Sequence, residues 1–186
     1  MTAIISDQIT SYTISIADGR YATIALSIGK RSVAVMAESP FGSFGHFWNA
    51  TGGNPILFLR RLRFNHAMRN MRGPSYEIFD REAQEKVLRS LTLTRRRARK
   101  ITAEAARWSL DELEHVCDAR SLDHFWANLH HSDLCTHLFG DDIRGFSAET
   151  CPDPACVDFW DLFWVPLMAR LAQDAAKAPE AAEVIA

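Results

Sequence analysis

Four cysteines and a cluster of histidines are the residues of this chain whose types are best suited to chemistry. Cys135 and His137 stand two residues apart, His130 and His131 come shortly before them, and Cys151 and Cys156 follow with C-x4-C spacing. Thiolate and imidazole are preferred ligands of tetrahedral zinc, so Cys135, His137, Cys151 and Cys156 form a ligand set by type. Their spacing argues the other way. C-x-H is poor for a structural zinc knuckle, and the prolines of Cys151-Pro-Asp-Pro-Ala-Cys156 set up a helix start instead. The reading from spacing is therefore no metal and no cofactor, with thiols buried as small apolar groups. Cys135 and His137 also form a nominal thiol–imidazole pair, but side chains two apart on a helix diverge. Asp141, Asp142 and Glu149 have the chemistry of cation ligands and sit around Gly140 and Gly145 as ordinary loop residues do. A phosphate-binding glycine loop, an H-E-x-x-H helix and a nucleophile elbow are all missing from the sequence. The chain is expected to act without catalysis.

Charge offers a second kind of chemistry. Residues 1–100 hold sixteen Lys/Arg against seven Asp/Glu, and residues 101–186 hold five against sixteen, although the whole chain carries a formal net charge of only −2. A basic segment calls for a polyanion, an acidic protein surface, or its own acidic half folded back on it. The basic candidates are Arg60, Arg61, Arg95, Arg96, Arg97, Arg99 and Lys100, whose guanidinium and ammonium groups suit phosphate or a protein partner. No regular aromatic interleaving accompanies them, which weakens a nucleic-acid reading. The acidic candidates are Asp111, Glu112, Glu114, Asp141 and Asp142. Gly42-Ser-Phe-Gly45 has the form of a G-x-x-G backbone clamp, but it follows strands rather than lying between helices, and it reads as core packing.

These residues must be positioned by recognisable elements. Alternation at Tyr12/Ile14/Ile16, Ile24/Leu26/Ile28 and along 32–38, punctuated by Asp18-Gly19 and Gly29-Lys30, predicts an antiparallel meander. Phe41–Trp48 is the expected fourth strand. Asn54-Pro55 starts a helix running to about Met71, and Gly73-Pro74 ends it. Asp80 caps a second long helix that runs out into the 95–100 cluster. Ser109-Leu-Asp-Glu112 has the form of a capping box and predicts a helix start at that point. Short helices are expected at 122–131 and 133–139. Asp153-Pro154 opens a last helix with Trp160, Phe163, Trp164, Leu167 and Leu171 on one face.

The composition, 47% hydrophobic over 186 residues, supports a folded core. The fold class expected is α+β, an N-terminal three- to four-stranded meander packed against helices followed by a helical half. The expected organisation is one compact unit: a basic strand-rich portion over 1–100, an acidic helical portion over 101–172 and a frayed tail over 173–186. The N-terminus lacks the basic region of a secretory signal and no apolar run is long enough to span a membrane, which points to the cytoplasm.

The order of landmarks carries a resemblance. Trp48, Thr51, Gly52, Gly53, Pro55, Phe58 and Leu59 make a W-x2-TGG-x-P-x2-FL junction, and Pro154, Cys156, Phe159 and Trp160 make a late P-x-C-x2-FW element. Over residues 10 to 171 the chain resembles a group of small proteins encoded by tailed phages and prophages of proteobacteria. The group supplies a genomic setting and no catalytic residue. That setting implies a non-enzymatic binding protein that inhibits a host defence complex such as a CRISPR–Cas effector, acting in the host cytoplasm on a protein or ribonucleoprotein, with an acidic surface mimicking nucleic acid. The alternative is a nucleic-acid-binding accessory protein that uses the arginine-rich helices.

Overall fold

Alternating apolar and small polar residues organise the start of the chain into strands β1 (Ile9–Ser15), β2 (Tyr21–Ile28), β3 (Val33–Ser39) and β4 (Gly42–Trp48). They form an antiparallel meander in sequence order. Its register brings Tyr12, Ile24, Ala37 and Phe44 into one row across the sheet. Because side chains alternate between faces, one face collects Ala22, Ile24, Leu26, Val33, Val35, Ala37, Phe44 and Trp48, all buried. Gly42 is needed where β3 turns into β4: its φ is +108°, and a Cβ there would lie 3.2 Å from Arg72 Nη1.

The computed structural model describes residues 9–140 and 142–177. These make an α+β protein of two compact units: residues up to Tyr76 together with those from Asp153 onwards, and Glu77–Pro152. Residue 100, the expected end of the basic portion, falls inside the second unit. Residues 173–177 of the expected frayed tail are helical, since an alanine-rich segment has high helix propensity; 178–186 lie outside the described residues. Among the described residues no helix is long and apolar enough to cross a membrane.

In the first unit the buried sheet face is covered by α1 (Pro55–Arg61), α2 (Phe64–Arg72), α7 (Pro154–Phe159) and α8 (Val165–Lys177). Asn54 caps α1 as its spacing predicts, accepting from Leu57 N–H at 2.9 Å. The single helix expected to Met71 is two. Leu62 and Arg63 take extended backbone, and Leu62 and Phe64 then both pack against the core. On a continuous helix, residues two apart would diverge. Asp153 caps α7 through Ala155 N–H at 2.9 Å. A π-helical turn over Trp160–Trp164 joins α7 to α8, with Val165 N–H bonded to the Trp160 carbonyl. Pro166 follows at once and has no N–H for the carbonyl four residues back, a disturbance that a π turn absorbs. Phe159 stacks on Phe44 with centroids 3.9 Å apart, tying the late element to the sheet.

The second unit is helical apart from a two-stranded ribbon of β5 (Glu77–Phe79) and β6 (Thr150–Pro152). Within it lie α3 (Arg81–Arg97), α4 (Ala103–Cys117), α5 (Leu122–His131) and α6 (Asp133–Phe139). Leu88, Leu113, Val116, Cys117, Phe125, Leu129, Leu134 and Leu138 are its core. Asp80 caps α3 by accepting from Ala83 N–H at 2.9 Å. The helix start expected at Ser109 is corrected: Thr102 is the cap, accepting from Ala105 N–H, and Ser109 is buried in the middle of α4. A Ser/Thr with Glu three residues on marks a start only where the preceding turn is not itself helical, and Ala103-Glu-Ala-Ala106 is strongly helix-forming.

Candidate binding surfaces

Folding dissolves the charge split along the chain. By sequence, the first unit holds ten Lys/Arg and nine Asp/Glu, and the second eleven and fourteen. Within the second unit the two signs stay apart. Helix α3 and its extension to Lys100 are rich in cations, and the neighbouring α4 is acidic. Among the described residues, Arg81–Asp118 at 2.7 Å is the ion pair that crosses between them. Among the described residues, the remaining pairs of α3 are its own i,i+4 bridges, Lys86–Glu82 and Arg89–Glu85. The hairpin therefore presents two surfaces of opposite sign rather than a neutralised seam.

The basic surface is the hairpin tip. Arg96, Arg97, Arg99 and Lys100 are exposed and Arg95 is half-buried, and none is ion-paired to a described carboxylate. The backbone here closes α3 with two C-terminal bonds, Lys100 N–H to the Arg95 carbonyl at 2.9 Å and Arg99 N–H to the Arg96 carbonyl at 3.0 Å. That is the Schellman pattern, which places its left-handed residue where glycine is ordinarily found. The residue here is Arg99, at φ +58°, and among the described residues it is the one non-glycine with positive φ. Cations at this end also suit the helix dipole. Arg60 and Arg61 are exposed at the end of α1 in the first unit, so the structure groups Arg95–Lys100 and assigns Arg60 and Arg61 to a different unit.

The acidic surface is a stripe along α4. Glu104, Asp111, Glu114 and Asp118 recur at helical spacing and are all exposed, with Arg107 among them. Glu112 lies half-buried on its flank. Of these, Asp118 alone is ion-paired to a described residue, to Arg81. Glu104 lies before the helix start expected at Ser109, so no helical pattern counted from that point reaches it, and Asp118 stands at the C-cap of α4. Counting from 102, the spacing 104, 107, 111, 114, 118 marks one face. Asp142 lies in the loop after α6, held by Arg144 at 2.9 Å, a hydrogen bond that keeps its carboxyl below the usual range. Asp141 lies outside the described residues.

The sulfur and imidazole groups are dispersed. Cys135 and His137 are on α6 and Cys151 is on β6 in the second unit, whereas Cys156 is in the core of the first. Among the described residues no group of three or more His, Cys, Asp or Glu could hold a metal ion. His137 Nδ1 lies 3.2 Å from the Oγ of buried Ser109, and its ring meets Trp108 edge-on at 5.4 Å between centroids, a packing contact. His130 stacks on Trp126. Burial pushes the Cys117 thiol up to about 11 and also raises Cys135 and Cys156, which keeps all three protonated at neutral pH. These thiols are packing groups.

A family model described as a phage family, Phage_phiTE_072, matches residues 2–172, nearly the whole chain. No curated protein and no solved structure matches it.

Proposed function

We propose, from the premise that the chain belongs to this phage family, that it is a non-enzymatic binding protein that inhibits a host defence complex such as a CRISPR–Cas effector. The observation that carries this reading is the exposed acidic stripe on α4, in which Asp111 and Glu114 have no ion-pair partner among the described residues. From Asp111 through Glu114 to Asp118 the carboxylates follow at about 4.5 and 6 Å along the helix axis, a line of negative charge sparser than the phosphates of a nucleic-acid strand at about 3.4 Å but of the same sign and linear form. A rigid acidic helix of that kind fits the positively charged groove in which such complexes hold nucleic acid.

The test is capture of a purified host effector complex by the tagged protein, compared with a variant carrying Asp111→Lys and Glu114→Lys. Both positions are exposed, so the fold tolerates the change. Capture by the wild type and its loss in the variant supports the reading; equal capture by both, or none by either, contradicts it.

A second reading is favoured by Arg99. A left-handed conformation costs about 1–2 kcal/mol for a residue with a Cβ, yet the tip keeps an arginine there amid four other cations. Direct binding of nucleic acid through Arg95, Arg96, Arg97, Arg99 and Lys100 would explain that retention. Such binding weakens steeply with salt and is lost on reversing the tip charges, whereas reversing α4 leaves it intact.

A further inference from the structure

Strand β1 is one edge of the meander, and its own residues carry none of the devices that blunt an edge strand from within. Natural edge strands are blunted by charge, proline or a bulge. From Ile9 to Ala17 the chain has no charged residue and no proline. The register with β2 runs unbroken from Ile9↔Ser27 to Ser15↔Tyr21, so the strand carries no bulge. Ile16 N–H donates to the Arg20 carbonyl at 2.9 Å, which fixes the hydrogen-bonding parity of the strand. Tyr12, Ile14 and Ile16 bond towards β2, and Ile9, Ser11, Thr13 and Ser15 direct their N–H and C=O groups outward. On the core side Tyr12 and Ile14 stay half-exposed, although Ile24 and Ala22 opposite them are buried.

We propose that β1 pairs antiparallel with β1 of a second copy about a two-fold axis at Tyr12, joining two four-stranded sheets into one continuous sheet. In that register Ile9 faces Ser15 of the other copy, Ser11 faces Thr13, and Tyr12 faces its own counterpart. The strand is complementary to itself in three respects. The residues with outward backbone groups meet one another, giving about eight inter-chain hydrogen bonds. The half-exposed Tyr12 and Ile14 come beside the same stripe of the other copy and cover it. On the opposite face Ser11 and Thr13 form a hydroxyl pair of the kind that supports cross-strand contacts. No like charges meet, because the strand has none. This self-association is independent of the charged surfaces of the second unit.

The test is the molar mass of the full chain by light scattering at high micromolar concentration. The expected mass is twice the monomer's 21.0 kDa. Combining Ser11→Lys with Thr13→Lys sets like charges opposite each other on an exposed face and returns the protein to monomer with an unchanged circular dichroism spectrum. Tyr12→Cys cross-links to its own copy on oxidation, since directly opposed Cα atoms in a non-hydrogen-bonded pair are about 4.5 Å apart, within disulfide reach. Thr10→Cys, about 14 Å from its counterpart, does not. A monomeric wild type, or a dimer indifferent to the two lysines, overturns the proposal. So does a monomer whose β1 instead takes up an extended host peptide.

Discussion

Arg99 and Cys117 are the two side chains whose environment makes the sharpest statements. The Schellman closure of α3 wants glycine at Arg99, so Arg99→Gly is expected to stabilise the second unit by about 1 kcal/mol. The same change removes one tip cation. If the tip binds duplex DNA, the slope of log affinity against log salt falls by about one. Thermal melting and a salt titration check the two halves separately. Cys117 is fully buried and its thiol is pushed up to about 11 from 9.0, first by desolvation and then by the Glu85 charge. The folded state holds this proton where the unfolded state loses it, so stability falls as pH rises from the unfolded value towards the folded one. Between pH 9 and 11 that loss is on the order of 2 kcal/mol, and Cys117→Ala shows a shallower dependence over the same window in denaturant titrations.

Among the elements, the two faces of the α3–α4 hairpin separate the competing readings. Asp111→Lys with Glu114→Lys is expected to leave melting within about 0.5 kcal/mol of wild type, since exposed unpaired charges contribute little to stability. Reversing Arg96 and Arg97 to Glu is expected to abolish duplex binding under the second reading and to leave capture of a protein complex unchanged under the first. Strand and helix identities were legible in the sequence wherever a local device announced them. Asp18-Gly19, Asn54-Pro55, Asp80 and Asp153-Pro154 all act as their spacing predicts. The break at Leu62–Arg63 was not legible, because both flanking segments are good helix formers and the core decides where Leu62 and Phe64 point. Ser109 misled for a related reason: its hydroxyl meets His137, a partner twenty-eight residues away that no local pattern reports.

At the scale of the whole molecule, each unit has its own buried cluster, around Trp164 in the first and Phe125 in the second. Phe125→Ala is expected to destabilise the second unit by about 3–5 kcal/mol while the sheet signal of the first persists in far-ultraviolet circular dichroism. The division into units could not be read from charge, since charge is sorted by position in the chain while the first unit is assembled from both ends of it. What survives folding is narrower than a basic half and an acidic half: one cationic hairpin tip and one acidic helix face on the same unit. The central claim is that the acidic face blocks a host nuclease complex. Cleavage of target DNA by a purified effector complex of the host, measured against increasing amounts of this protein, tests it most directly. The account predicts that cleavage stops near stoichiometric amounts of wild type and continues with the Asp111→Lys, Glu114→Lys variant. Undiminished cleavage at large excess, or equal inhibition by the two proteins, would contradict it.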